Sequence, residues 1–571
     1  MIGKHFYFGM VLFLLLGIMV DASTQKTADL VLLNGKIVTV DDTKPLAQAL
    51  AVSGDRIIFV GNTEEVKKFI SKSTQVIDLK GKLVIPGIIE SHGHFQSLGN
   101  SLIKLDLTKV KNWDEIITMV AEAVKKAKPG EWIEGRGWHQ EKWDKPPVPG
   151  LNGLPVHDSM SAVSPQNPVF LSHASGHSVF ANAKAMELAG ITPGTPNPEG
   201  GEIIKDQAGK PTGIFLETAE SLIEAAKEKS LSSRTKEQLT ADLIKEIELA
   251  NRACLGNGVT SFHDAGSLFE DVDLFKKLFE EGKINVRLNV MLSESNEALR
   301  AHIKEYKLIG FYDNHLTVRS IKRLIDGALG SHGAWLLKPY DSMPSSTGLN
   351  TESIQVMKES ARIAVENGFQ LCTHAIGDRA NRETLNIYEE AFKFFPGKKD
   401  LRWRIEHAQH LDPADITRFG KLGVLAVMQG IHCTSDGPWV PKRLGEERTE
   451  HGAYVWRKLL DSGARVSNGT DVPVENLNPM ACFYSSITRK MKNGSIFYGS
   501  QRMTREEALR SYTLAGAYAS FEENLKGSLT VGKLADITVL SNDILTVPEE
   551  DIPGTKVLYT VIGGKIFYKS E

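Results

Sequence analysis

Short apolar runs alternate with amphipathic stretches through the middle of this 571-residue chain. The apolar runs are VRLNVML, SIKRLIDG, GFQLCTHA, RWRIEHA, GVLAVMQG and ARVSNGTD. Stretches such as TESIQVMKESARIAVENG and RANRETLNIYEEAFKFF separate them and have the pattern of helices. The spacing of about 30 to 50 residues is that of repeated βα units. We therefore predict an α/β chain built around a (β/α)8 TIM barrel, whose active face collects polar residues at the strand ends.

Both ends of the chain instead carry short strand-like runs around turn signals. The runs in ADLVLLNGKIVTV, ALAVSGDRIIFVG, QVIDLKGKLVIPG and KVLYTVIGGKIFYK surround Asn34-Gly35, Ser53-Gly54-Asp55, Lys80-Gly81-Lys82 and Gly563-Gly564. Such pairs predict β-hairpins. Residues 27–86 and 521–571 are therefore predicted to form one composite β-sandwich, flanking a barrel over residues 87–520. Residues from about 100 to 260 exceed what βα units need and predict an inserted subdomain.

Residues 1–26 have the pattern of a secretory signal peptide. A positively charged start precedes the 15-residue apolar run Phe6–Val20, which is shorter than the roughly 20 residues of a membrane span. Small residues end at Ala22, before a predicted cleavage point at Ser23. This predicts a secreted or periplasmic protein without membrane contact after signal removal. The alternative is a membrane-anchored protein with an uncleaved N-terminus.

The amino-acid composition indicates which kinds of molecule the protein binds. The 67 Lys and Arg residues nearly balance the 70 Asp and Glu residues, which argues against a nucleic-acid-binding protein. The four cysteines form no C-x-x-C pair and indicate neither a disulfide framework nor a zinc ribbon. We expect a small-molecule substrate, no nucleic acid, and possible assembly into a homo-oligomer.

Metal-binding side chains recur at the ends of the predicted strands. His92 and His94, in IIESHGHF, are two residues apart and so share one face of a strand. His374, His407 and Asp471 end three later runs, one and then two βα units apart. Because imidazole and carboxylate are zinc ligands, this pattern predicts a catalytic divalent metal site, with exposed loop histidines as the alternative for the first pair.

Lys322 is a further candidate, because it lies inside the strand-like run SIKRLIDG. A lysine within a barrel strand is costly unless it is paired. A carbamylated Lys322 would be an anionic ligand bridging two metal ions. The alternatives are pairing with Asp326 and exposure to solvent.

Together, H-x-H, Lys, His, His and Asp resemble the ligand set of the amidohydrolase superfamily. The segments PGIIESHGHF, SGHSVFANAKAMELAGI, GALGSHGAW, THAIGDRAN, EHAQHL and SNGTDVPVENLNP are similar to the branch that includes N-substituted formamide deformylases. The resemblance runs from about residue 28 to 570 and implies a distorted TIM barrel with a composite β-sandwich. It also implies one or two ions, with zinc first, held by His92, His94, carbamylated Lys322, His374, His407 and Asp471.

Substrate-facing residues are harder to assign. Trp138 and His139, with Trp143, are predicted to form a pocket wall, and His173 and His177 to meet a substrate carbonyl or carboxylate. Glu217 and His332 are further candidates. For His173 and His177, a buried structural role in the insertion is an equal alternative. Five further residues are predicted to have supporting roles. His263 and Asp264 are predicted to orient a ligand. Gln429, His432 and Asp436 are predicted to lie on the leaving-group side.

We therefore predict a metal-dependent hydrolase acting on carbon–nitrogen bonds other than peptide bonds, in an amide or N-acyl substrate. In this hypothesis metal-bound hydroxide attacks the carbonyl and Asp471 moves the proton. One alternative is hydrolysis of an ester, a lactone or a cyclic amide at the same site. Another is a non-catalytic binding protein on the same scaffold, although all six ligand positions are filled.

Overall fold

The computed structural model describes residues 27–140, 143–151, 153–173, 178–198, 201–231, 234–330 and 332–571. The predicted signal peptide lies outside them. Eight parallel strands form the central barrel: β1 (Ile88–Gly93), β2 (Val259–Ser267), β3 (Arg287–Leu292), β4 (Leu316–Leu324), β5 (Gln370–Ala375), β6 (Arg404–His407), β7 (Leu425–Gln429) and β8 (Val466–Gly469). This confirms the predicted α/β barrel.

The barrel closes where the chain leaves β8. Continuous ladders join β1 to β2 and each later strand to the next, up to β8. The last gap is bridged just beyond β8, where Asp471 N donates to His92 O at 2.9 Å and His94 N donates to Val472 O at 2.8 Å. The buried Glu90 carboxylate adds a link, since it accepts from Thr470 N at 2.6 Å and from Thr470 Oγ1 at 3.0 Å. The carboxyl ends of β1 and β8 are therefore held together at the level of the predicted ligands.

Helices follow most barrel strands, as the periodicity predicts. Those around the barrel are Phe95–Ile103, Lys236–Gly256, Phe269–Glu280, Asn296–His302, Ile354–Asn367, Asp378–Phe394, Pro413–Leu422, Trp456–Asp461, Pro479–Thr488, Arg505–Ser511 and Leu514–Ala519. The β7 to β8 connection adds the short helices His432–Asp436, Val440–Leu444 and Glu446–Gly452. Their apolar faces and the outer faces of the strands make one large hydrophobic core. In the part of the chain that is described, no helix is long and apolar enough to cross a membrane.

Strands from both ends of the chain form two further sheets. One has the order Arg56–Gly61, Ala49–Ser53, Leu30–Leu33, Gln75–Asp78; the other has the order Lys565–Lys569, Val557–Ile562, Ile537–Leu540, Leu83–Pro86, Lys36–Val38, Leu46–Ala47. The second sheet therefore joins strands from both termini. A buried, bidentate ion pair between Arg287 of β3 and Asp536, with N–O distances of 2.8 and 3.0 Å, ties it to the barrel.

Only two of the four predicted hairpins form. The turns at Gly54-Asp55 and Gly563-Gly564 join antiparallel neighbours. The predictions at Asn34-Gly35 and Lys80-Gly81-Lys82 are wrong, because each of those turns leads from one sheet into the other. Leu83–Pro86 is buried along its whole length and pairs with Lys36–Val38 on one edge and Ile537–Leu540 on the other, so no edge is left for a local hairpin.

The segment between β1 and β2 carries a separate six-stranded sheet. Its order is Gly201–Lys205, Pro211–Glu217, Ser178–Ala181, Val169–His173, Ile133–Trp138, Leu105–Asp106. The helices Trp113–Val124, Asp158–Val163, Ala183–Leu188 and Glu220–Leu231 accompany it. Arg136 of this sheet donates from Nη1 to Pro473 O at 2.6 Å, two residues beyond Asp471. The insertion thus touches the rim of the barrel beside the predicted site.

The barrel closure makes a testable prediction at Gly469. A Cβ there would lie 2.6 Å from His92 N and 2.8 Å from His92 O, and would also collide with the Glu90 carboxylate. Because two of these neighbours are backbone atoms, Gly469→Ala must push β8 away from β1. We expect a loss of about 1 to 3 kcal/mol in the free energy of unfolding, measured in urea.

Gly397→Ala is the matched control, because no atom lies within 4 Å of a Cβ built there. It is expected to change stability by less than about 0.5 kcal/mol. Equal stability of the two variants would contradict a tight β1–β8 contact.

Candidate active site

The predicted ligands lie on five different barrel strands or directly after them. His92 belongs to β1, Lys322 to β4, His374 to β5, and His407 ends β6. Two others follow strands: His94 precedes the helix Phe95–Ile103, and Asp471 is the second residue after β8. Because parallel strands share one carboxyl edge, separate segments meet at one end of the barrel.

Three of these residues form a tight buried group. One ligand atom from each of His92, His407 and Asp471 lies within 4.8 Å of the other two. The Oδ1 atom of Asp471 is 3.5 Å from His92 Nε2 and 3.4 Å from His94 Nε2. His94 therefore joins the group through Asp471, with about a third of its side chain exposed.

His374 and Lys322 adjoin this group without entering its tightest part. The imidazole of His374 has its ring centroid 4.6 Å from that of His407, which in turn is 4.7 Å from that of His92. The Nε2 atom of His374 is 3.5 Å from Asp326 Oδ1. Lys322 pairs in register with Cys372, two residues before His374, and its side chain is buried.

The proposed alternatives for Lys322 do not fit these contacts. The Asp326 carboxylate accepts hydrogen bonds from three backbone N–H groups, those of Trp335, Ile376 and Gly377, at 2.8 to 3.0 Å. Asp326 thus fixes the loops after β4 and β5, and among the described residues it forms no ion pair with Lys322. Nor does Lys322 face solvent, since it is only 4% exposed.

Left-handed backbone turns two of the site residues inward. Arg404 and Glu406 lie on the same face of β6, so a regular strand would direct His407 to the opposite face. The φ angles of His407 and Ala408 are instead 72° and 41°, and that of Asp471 is 58°. Non-glycine residues rarely adopt this conformation, which recurs at functional sites. The distortion lets β6 contribute both Glu406 and His407 to the site.

A buried charge network supports His92 from behind. His92 Nδ1 contacts Glu406 Oε2, leaving Nε2 directed to the ligand group. The Arg404 guanidinium binds both Glu406 oxygens at 2.7 and 2.8 Å, Ser91 O at 2.8 Å, and His263 Nδ1 at 3.1 Å. A carboxylate on the far nitrogen of a histidine fixes its ring orientation and is the usual partner of a metal ligand.

Other contacts hold the remaining ligands. Gln429 Oε1 lies 2.9 Å from His407 Nδ1 and so orients a predicted ligand, while its place on the leaving-group side stays a prediction. Asp264 accepts from Phe95 N at 2.8 Å and thereby fixes the backbone that follows His94. His263 contacts Arg404 and is therefore linked to His92 only through Arg404 and Glu406.

The site favours neutral imidazoles beside a charged carboxylate. Burial lowers the pKa of His92 to about 4 and that of His407 to about 3, and it lowers the pKa of His374 well below its ordinary value. Burial by itself would raise the pKa of Asp471, but the contact of its carboxylate with the His94 imidazole helps to lower it below its ordinary value. Neutral imidazole and ionised carboxylate are the forms that bind a cation.

The predicted substrate residues lie mainly in the insertion. Trp138 is fully buried in the insertion's core and donates from Nε1 to Leu171 O at 2.9 Å. The ring of His139 lies 4.6 Å from that of His173, which is 9% exposed and has Nε2 at 3.1 Å from Gln140 Oε1. Packing accounts for the position of Trp138, and the substrate roles of all three residues stay predictions.

The other candidates are less fully described. His332 is half-buried in the loop after β4, with Nε2 3.0 Å from Ser342 Oγ. Glu217 ends a strand of the insertion sheet, and its side chain lies outside the described part of the chain. His177 lies wholly outside it. Their substrate roles also stay predictions.

Arg404, Glu406 and Glu90 are parts of the site that sequence reasoning missed. All three are fully buried or nearly so. Their signal was present, because RWRIEH and IIESHGH place charged residues inside apolar strand-like runs, where a charge needs a partner. Arg404 and Glu406 pair with each other within RWRIEH. The contacts that tie them to the site, with His92 and His263, and the contact of Glu90 with Thr470 join distant parts of the chain and were not predictable from either run alone.

The role of Glu406 can be tested by Glu406→Gln, which preserves size but removes the charge. The buried Arg404 guanidinium would then be uncompensated, so we expect a loss of about 3 to 5 kcal/mol in the free energy of unfolding. Zinc affinity should fall about 10- to 100-fold, because His92 loses its orienting carboxylate. Urea unfolding and zinc titration against a competing chelator measure the two effects.

Glu64→Gln serves as the control, since it removes an ion pair of Glu64 with Lys67 that is largely exposed. No measurable change in either quantity is expected there. If Glu406→Gln behaves like this control, the network does not support the ligand group.

Comparisons with known proteins agree with this geometry. A family model described as "Amidohydrolase family" matches residues 75–568. The chain is 33% identical to Protein LONG AFTER FAR-RED 3 of Arabidopsis thaliana, over 95% of this chain and 92% of that protein. It is 28% identical to the N-substituted formamide deformylase of Arthrobacter pascens, over 95% and 98%.

The fold of the chain is also similar to that of a solved structure. The crystal structure of an uncharacterized metal-dependent hydrolase from Pyrococcus horikoshii is similar with a TM-score of 0.73 and 28% identity, covering 91% of this chain and 99% of that one. The predicted family resemblance is thereby confirmed, and the chain belongs to the amidohydrolase family.

Proposed function

We propose that the protein is a metal-dependent hydrolase acting on carbon–nitrogen bonds other than peptide bonds, in an amide or N-acyl substrate. The observation that carries this proposal is a set of buried ligand atoms that converge without hydrogen-bond partners. Among the described residues, His92 Nε2 and Asp471 Oδ1, which lie 3.5 Å apart, have none, and neither has Nε2 of His374, whose ring lies against that of His407. Leaving such atoms buried and unpaired is costly, so their convergence supports a bound cation.

The chemistry of these donors fits a divalent ion. Neutral imidazole nitrogens and an ionised carboxylate are ligands that zinc accepts, and we propose zinc as the natural ion. His92, His407 and Asp471 would hold it, with His94 and His374 close enough to complete one or two sites. A bound ion of this kind polarises a carbonyl and makes water a stronger nucleophile.

The residues around the ion would manage position and protons. The Glu406 carboxylate fixes the ring of His92, and the Gln429 amide fixes that of His407. The Asp471 carboxylate is ionised and has Oδ1 among the ligand nitrogens, so its other oxygen, Oδ2, would accept the proton of the attacking water. Oδ2 would then return that proton to the nitrogen of the departing amine.

Hydrolysis assays test the proposal directly. We expect zinc-loaded protein to cleave members of a panel of N-substituted formamides and other N-acyl amines, releasing acid and amine in equal amounts. Asp471→Asn retains the shape but removes the base, so its turnover is expected to fall at least about 100-fold with the fold retained. Asp114→Asn, at an exposed position, is the control. Asp264→Asn would not serve, because Asp264 fixes the backbone that follows His94.

Two results would contradict the proposal. One is stoichiometric metal with cleavage of esters or lactones only, which changes the bond. The other is near-normal turnover by Asp471→Asn, which assigns the proton to another group.

We further propose that Lys322 is carbamylated and bridges two ions. Burial lowers the pKa of its ammonium group and favours the neutral amine. A neutral amine adds CO2 by forming an N–C bond and releasing one proton, which yields an anionic carboxylate. This addition would replace a buried amine with an anionic ligand, which is the charge that a cation site needs.

Lys322→Ala tests the carbamate. We expect the variant to lose one metal ion per chain and most activity, with partial recovery in millimolar acetate or propionate, because a free carboxylate can take the bridging place. Metal content is measured by elemental analysis. Lys526→Ala is the control: it removes another buried lysine, paired with Glu522, and is expected to lose stability but not metal. Full metal content in Lys322→Ala would contradict the bridge.

A further inference from the structure

A histidine outside the ligand set faces the same site with a free nitrogen. His432 begins the helix His432–Asp436, directly after β7. Its side chain is buried, with 7% exposed, and its Nε2 atom has no hydrogen-bond partner among the described residues. Its ring lies nearly parallel to that of the ligand His407, at an angle of 12° and a centroid distance of 6.4 Å.

The short helix that carries His432 is fixed at its middle and at its C-terminal end. Thr434 Oγ1 lies 3.0 Å from Ser485 Oγ, on the helix that follows β8. Asp436 Oδ2 accepts from Tyr454 Oη at 2.7 Å and from Gln409 Nε2 at 3.0 Å. The backbone that carries His432 is therefore held in place before any ligand binds, which limits the entropy lost on binding.

Close packing before the helix restricts it further. A Cβ on Gly430 would lie 2.6 Å from Cys482 O and would collide with Ser486 Oγ. The chain between β7 and His432 therefore runs directly against the helix Pro479–Thr488 and has no room to shift. A buried polar atom without a partner calls for a group that binds it, and a substrate in the adjoining site can supply one.

The amide substrate supplies the missing partner. In the proposed function, the carbonyl oxygen of the substrate faces the ion, which leaves the N–H of a secondary amide buried without an acceptor. An unpaired N–H of this kind is costly, and an imidazole nitrogen can accept its hydrogen bond. His432 is set beside His407 rather than among the three atoms of the tight ligand group, so its nitrogen is free for this role.

We propose that His432 Nε2 accepts the hydrogen bond of the scissile N–H, and that the enzyme therefore selects secondary amides over tertiary amides. This inference rests on the proposed function and deepens it, because it defines the substrate class. The contact binds substrate in both the ground state and the transition state, so its loss raises KM at least as much as it lowers kcat.

His432→Phe tests the contact, because it keeps an aromatic ring and removes the nitrogen. The probes are a matched pair, N-butylformamide and N-butyl-N-methylformamide, or the corresponding pair for whichever acyl group the wild-type protein cleaves best. The wild-type protein is expected to prefer the secondary amide. In His432→Phe, kcat/KM for the secondary amide is expected to fall about tenfold or more, whereas that for the tertiary amide changes little.

The ratio of the two rates separates this role from a structural one. A merely destabilised or poorly metallated variant loses activity on both amides equally, and metal content is measured on the same samples. His432→Asn retains an acceptor oxygen and is expected to recover part of the preference. His451→Phe, an exposed position in the same β7 to β8 connection, is the matched control and is expected to keep the wild-type ratio.

The outcomes distinguish this inference from the proposed function. A wild-type protein that cleaves no amide contradicts both. A wild-type protein that cleaves amides, with the same secondary-to-tertiary ratio in His432→Phe, overturns the inference alone and points to solvent as the acceptor of the N–H hydrogen bond.

Discussion

The contact between His92 and Glu406 holds the site together. It joins β1 to β6 across the barrel, and it links a candidate metal ligand to a carboxylate that is itself held by Arg404. His92, Glu406 and Arg404 are all fully buried. A buried charge is tolerated only when its partners are in place, so the network requires the barrel to be closed in one register. The same requirement fixes the His92 ring before any ion binds.

The barrel closes at the contact between β8 and β1, and strained backbone lies beside this contact and at the end of β6. β8 does not continue as a regular ladder partner of β1; the chain bends inward at Asp471 and returns hydrogen bonds to β1 from just past the strand. His407 is turned inward by a similar distortion at the end of β6. Each left-handed residue costs of order 1 kcal/mol or more, and the surrounding core offsets that cost. The strained residues His407 and Asp471 thus lie where the packed barrel supports them.

Sequence periodicity was sufficient for the barrel and for the positions of its polar strand ends. His374, His407 and Asp471 stand at predicted ends because the βα period and the ligand pattern coincide. Local turn chemistry could not predict that Asn34-Gly35 and Lys80-Gly81-Lys82 would lead between two sheets, since the choice of partner strand depends on the distant segment Ile537–Leu540. Arg404 was missed for the same reason: its partners His263 and Ser91 come from other strands.

Anomalous X-ray diffraction from zinc-loaded crystals at the zinc absorption edge tests the central claim most directly. The structure predicts a strong peak within bonding distance of His92 Nε2, His407 and Asp471 Oδ1, about 2.0 to 2.2 Å from each donor atom. A second peak beside Lys322 would add the proposed bridge. A loaded crystal with zinc only at surface positions, and hydrogen bonds or water satisfying those three side chains, would contradict a metal-dependent hydrolase at this site.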